Sequence, residues 1–150
     1  MTWFVAAVAM FFCYHRVSQT YPSDSYSGIF TLQGWDMLHG NLLLHGWSLS
    51  DVSFYTTEVP EYLLVDLVRG FNPDVVHIAA AITLTLLLLL VALLARGRAK
   101  GVQAVAAVLI AVGIMGAPQL GAGIFLLLLA PDHLGTCVPV LLAWLSLDRC

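Results

Sequence analysis

The stretch VHIAAAITLTLLLLLVALLA, Val76 to Ala95, decides the fold. It runs for 20 residues without an Asp, Glu, Lys or Arg. At 1.5 Å of rise per residue, a helix of that length crosses the roughly 30 Å hydrocarbon core of a bilayer. The residues that follow, RGRAKG at 96–101, hold Arg96, Arg98 and Lys100, half of the chain's six Lys and Arg residues. A basic loop directly after a span marks the cytoplasmic side by the positive-inside rule. The loop 96–101 is therefore expected in the cytoplasm, and the sidedness of the other segments follows by alternation.

Downstream, 102–117 is the next apolar span, which stops at Pro118-Gln119. Leu120 to Ala130 is apolar but, at 11 residues, too short to cross upright. The segment 118–133 reads as a re-entrant or interfacial outer piece, and 134–150 as a further span with a short cytoplasmic end. Upstream, the apolar run Trp3–Tyr14 makes 1–17 a first span that starts incompletely. With no basic stretch before it and no small-residue cleavage site after it, the run does not read as a signal peptide. Between the first two spans lies 18–75, which holds seven acids against one base, Arg69. That loop is expected outside the cytoplasm.

Composition agrees with this division. Hydrophobic residues make up 60% of the chain and charged residues 10%, against about 25% charged in a soluble domain. Too little charge remains to cover a water-facing surface. The expectation is an all-α polytopic protein of the cell membrane: about four transmembrane helices with a long, partly helical extracytoplasmic loop. Membrane lipid is its first partner. A net charge of −3 and the lack of any basic patch beyond three residues argue against nucleic acid. The cysteines Cys13, Cys137 and Cys150 form no CxxC or metal spacing and read as small apolar residues.

Within the loop, Ile29–Leu44 can place Phe30, Trp35, Leu38 and Leu42 on one helical side, with Gly40 or Gly46 ending the helix. Tyr62–Val68, after Pro60, suggests a second helix. Trp35, Trp47, Tyr55 and Tyr62 suit the headgroup level, where one end of a ring is buried and the other is wet.

Several acids are candidates for chemistry. Asp24, in YPSDSYSG just past the first span, can act as a general base on a hydroxyl or hold a metal, or simply cap a helix. Asp36 and His39 lie three residues apart on one face and form a weak metal pair, because His45 faces away. Glu58 and Glu61 bracket Pro60 and read as substrate contacts or as helix-start acids. Asp132-His133, at the opposite outer turn, could meet the long loop and help to line a site.

The order of these pieces resembles the GT-C superfamily of polyprenyl-phosphate-sugar-dependent glycosyltransferases, in particular its actinobacterial integral membrane proteins. The matching residues are SDSYSG with Asp24, then WDMLHGNLLLHGW, then LSDVSFYTTEVPEYLLV, and later APDHLGTCVPVLLAWLSLDR. Asp24 is followed by Ser25, where the family has a second acid, and EVPEY carries one proline and no lysine. The resemblance implies transfer of a sugar from a polyprenyl-phosphate donor to an acceptor hydroxyl outside the cytoplasmic membrane. Asp24 would be the base, and groups near His133 would steady the donor phosphate. It implies a divalent metal as the optional cofactor. It covers the first part of a typical member, so the chain is expected to be an N-terminal portion or a non-catalytic remnant.

The alternative reading is a small non-enzymatic membrane protein or a subunit of a larger membrane assembly. Ala104, Ala106, Ala107, Ala111, Gly113 and Gly116 would let partner helices approach closely. A carrier is disfavoured because no span interior holds an ionisable residue.

Overall fold

Asn72, Pro73 and Asp74 start the helix around which the rest of the chain is arranged. The backbone N–H of Asp74 donates to Asn72 Oδ1 at 2.9 Å, and that of Val75 donates to the Asn72 carbonyl at 3.0 Å. Pro73 stands where no helical N–H is needed, and Asp74 complements the positive end of the helix dipole. In the computed structural model, which describes residues 2–23, 25–48, 54–116 and 134–149, this helix runs from Asp74 to Arg96. Gly97 ends it at a φ of +46°, its N–H reaching the Leu93 carbonyl.

The described residues form six helices: α1 (Thr2–Ser18), α2 (Ser25–Leu38), α3 (Val59–Arg69), α4 (Asp74–Arg96), α5 (Gly101–Gly116) and α6 (Cys137–Arg149). The protein is all-helical, and α4 is the one described helix long and apolar enough to cross a membrane. The apolar helices α1, α5 and α6 are shorter. The outer segment 118–133 lies outside the described residues.

α4 is central. α1, α3, α5 and α6 all pack on it, and α2 touches it more lightly. Its run Ala79-Ala80-Ala81 is fully buried, and these small side chains let the neighbouring helices come close. Antiparallel α1 is fastened at the Asp74 end. His15 Nε2 lies 3.1 Å from Asp74 Oδ1, Gln19 Nε2 donates to the same oxygen at 2.9 Å, and Ser18 Oγ lies 2.8 Å from His77 Nδ1. Away from α4 the bundle turns apolar groups outward. Phe4 is 73% exposed, Ile114 68% and Leu147 78%.

The acidic loop is folded into this bundle. Its two helices run alongside each other in the same direction: Phe30 of α2 packs on Tyr62 of α3, with ring centroids 5.6 Å apart, and Trp35 reaches Phe71 at 5.7 Å. Phe30, Phe54, Val59, Tyr62 and Val65 close a core against Val75, Val76 and Ala79 of α4. Gly34 sits where α2 comes nearest to α3; a β-carbon there would lie 2.9 Å from the Leu63 backbone nitrogen.

The helix expected over 29–44 is shorter and earlier, at 25–38. Gly40 turns left-handed at a φ of +100°, and the Asp36 carboxylate gathers the returning chain, accepting from Asn41 Nδ2 at 2.6 Å and Trp47 Nε1 at 2.9 Å. Leu42, expected on the helix's apolar side, is exposed in the turn that follows. The second loop helix begins three residues before its expected start, because the Phe54 carbonyl accepts the N–H groups of Thr57, Glu58 and Val59 and launches α3 ahead of Pro60.

Candidate functional site: buried carboxyl groups along α3

α3 is only 11 residues long, yet Glu58 stands at its start and Glu61 and Asp66 lie within it. Glu58 is fully buried. The Thr57 hydroxyl donates to Glu58 Oε2. Its carboxyl also rests against Gly135, in the turn that leads into α6; a β-carbon at 135 would fall 2.8 Å from Oε1 and 3.0 Å from Cγ. A larger residue there would have to displace the Glu58 side chain.

Glu61 points from α3 into α4. Its Oε2 accepts a hydrogen bond from Thr83 Oγ1 at 2.6 Å, and its buried Oε1 has no partner among the described residues. Thr83 lies nine residues into α4, about 14 Å along the axis from the start of that helix. Burial pushes the Glu61 carboxyl up to about 7, while the Thr83 hydrogen bond pulls the other way. Asp66, one turn from the end of α3, is 1% exposed, and neither of its oxygens has a hydrogen-bond partner among the described residues. Burial raises it to about 6. It lies under Gly34, where a β-carbon would come within 2.8 Å of Oδ2.

Beside Glu61 a cavity of about 410 Å³ opens between the start of α3, α4 and α6. Thr57, Glu61 and Gly135 stand at its polar side, and Ile82, Leu86 and Leu142 supply apolar wall. The arrangement suits a molecule with an apolar body and a polar end. A carboxyl group that titrates near neutrality can both take and return a proton there.

Of the residues singled out in the sequence, Glu58 and Glu61 are brought together at the start of α3. Asp24, Asp132 and His133 lie outside the described residues; Gly135, two positions beyond His133, touches Glu58 and joins that stretch of chain to the long loop. Asp36 and His39 turn to separate partners. Asp36 takes Asn41 and Trp47, whose hydrogen bonds hold its carboxyl below the usual range. His39 Nδ1 lies 2.8 Å from the Trp35 carbonyl, and its ring tilts against the indole. Among the described residues, no group of three or more His, Cys, Asp or Glu is placed to hold a metal ion.

Sequence reasoning missed Asp66 and Thr83. Asp66 had a signal, being a lone acid inside the apolar run YLLVDLV. Thr83 had only its hydroxyl, shared with Thr85, in an otherwise nearly hydrocarbon stretch. Compared with protein-family models, with curated proteins and with solved structures, the chain gives no match.

Proposed function

We propose that the chain is a multi-pass membrane protein of the GT-C type, which moves a sugar from a polyprenyl-phosphate donor to an acceptor hydroxyl at the extracytoplasmic side. Membrane insertion is supported by the outward apolar faces of α1, α5 and α6, which together exceed what a water-soluble surface tolerates. Arg96, Arg98 and Lys100 support a cytoplasmic loop after α4.

The observation that carries the functional reading is Glu61 at the edge of the apolar cavity. In the reaction, the acceptor oxygen bonds to the sugar's anomeric carbon while the bond from that carbon to the phosphate oxygen breaks. The electron pair leaves with the polyprenyl phosphate, and the hydroxyl proton passes to a carboxylate. Glu61 is suited to take that proton, since a base poised near working pH is the most effective. The family resemblance assigns the same task to Asp24. The apolar wall suits the first part of the lipid chain, and Glu58 anchors the turn after Asp132-His133 beside it.

The test is transfer of a radiolabelled sugar from polyprenyl-phosphate donors in membranes carrying the full chain. Transfer that falls at least about 100-fold in Glu61→Gln or Asp24→Asn supports the reading and says which carboxylate is the base. No transfer with any donor, despite stable insertion, rejects it.

A second reading, a non-enzymatic subunit of a membrane assembly, is favoured by α5. That helix turns Val102, Val105, Leu109, Ile110 and Ile114 away from the bundle, beside the small residues Ala106 and Gly113. A stable larger particle in mild detergent, with no transferase activity, would favour it.

A further inference from the structure

At the end of α4 remote from Asp74, a second cavity of about 460 Å³ opens between Trp3 of α1, the 96–101 turn and the start of α5. Arg96 and Lys100 line it, and no acid does. Among the described residues neither cation makes an ion pair. Beyond the two cations the wall is hydrocarbon, running along α5 through Ala104, Val108 and Leu109, and Leu109 is 65% exposed on the outside of the bundle. The slot is therefore hydrocarbon inside, with two solvent-exposed cations among its lining residues at the helix ends.

We infer that this slot binds an anionic phospholipid, with the phosphate between Arg96 and Lys100 and an acyl chain along α5. Charge complementarity selects the occupant. A neutral lipid would leave the two cations without a counter-charge, and a soluble phosphate would leave the apolar wall wet. Trp3, at the rim, has the amphipathic ring found at headgroup depth. The inference rests on the membrane reading proposed above but not on the transferase activity.

The experiment uses the full chain in phosphatidylcholine bilayers containing phosphatidylglycerol, with bromine on the acyl chains of one lipid or the other. The Trp3 fluorescence is the difference between the protein and Trp3→Phe. Bromine on phosphatidylglycerol should quench Trp3 well beyond its bulk share, reflecting enrichment on the order of tenfold for two cations at the surface. Arg96→Gln/Lys100→Gln should abolish the excess, and the charge-preserving Arg96→Lys/Lys100→Arg should keep it. Equal quenching by both lipids, or an excess that survives the double Gln variant, overturns the inference. An excess abolished by added inorganic phosphate also overturns it, by making the slot a site for soluble anions. No quenching by either lipid overturns it together with the membrane reading.

Discussion

Replacing Glu61 with Gln should abolish most of the pH dependence above pH 6 that burial builds into the bundle. The folded protein holds the Glu61 proton to about pH 7, against an ordinary value of 4.5 for the unfolded chain. The folded state therefore binds this proton more tightly, so stability is fully present below pH 4.5 and is lost as the pH rises toward 7. Converted at ~1.36 kcal/mol per tenfold, the difference is worth about 3 kcal/mol. For a chain of this length that corresponds to a fall in melting temperature of roughly 6–12 °C. Asp66, raised to about 6, adds a decline of the same sign that is complete at lower pH, so the window above pH 6 belongs mainly to Glu61. Gln keeps an acceptor for Thr83 but carries no titrating proton. About one pH unit of this decline, worth ~1.4 kcal/mol, falls above pH 6, so thermal unfolding in mild detergent between pH 6 and 8.5 should show a melting temperature that falls by roughly 3–6 °C and levels off above pH 7 for the native chain, and a nearly flat one for Glu61→Gln. At pH 8 the variant should be the more stable of the two. An equal decline in both proteins, or a native melting temperature that rises with pH, would refute the assignment.

Removing the hydroxyl that favours the Glu61 carboxylate, by Thr83→Val, should move the upper end of that decline above pH 7, read from the same melts. Gly34→Ala should cost about 1–3 kcal/mol of stability, because its β-carbon would meet the Leu63 backbone at 2.9 Å and Asp66 at 2.8 Å; Gly28→Ala, with open space on the same helix, should instead stabilise by about 0.5–1 kcal/mol. Gly135→Ala should cost less than Gly34→Ala, since it presses on the Glu58 side chain rather than on backbone. On the transferase reading proposed above, it should also lower sugar transfer by shifting the turn before α6. Ser18→Ala should loosen α1 from α4 by about 1 kcal/mol through loss of the contact to His77, measured as a lower melting temperature.

The central helix was readable from composition, since a 20-residue hydrocarbon run bounded by Asp74 and Arg96 admits little else. The acids of α3 were visible because Pro60 draws attention to a helix start. Their destination was not. An amphipathic pattern tells which residues share a face but not which neighbour that face meets. Read at the membrane surface, Glu61 would sit in water. Folded against α4, it bonds to Thr83 and sits beside the apolar cavity. The early end of α2 depends on a tertiary event, the capture of Asn41 and Trp47 by Asp36, and a left-handed Gly40 alone did not choose between the two glycines on offer.

The claim on which the account turns is that the acidic loop packs inside the bundle, with the start of α3 against the turn before α6. A β-carbon at 135 lies 3.0 Å from Glu58 Cγ, which puts the two β-carbons within about 4.5 Å, inside the range a disulfide spans. The direct measurement is mild oxidation of the Glu58→Cys/Gly135→Cys chain in membranes, with Cys13, Cys137 and Cys150 replaced by Ala, followed by mass spectrometry of the linked peptides. The account predicts a near-complete intramolecular disulfide. Two free thiols at 58 and 135 in an inserted, folded chain would contradict it.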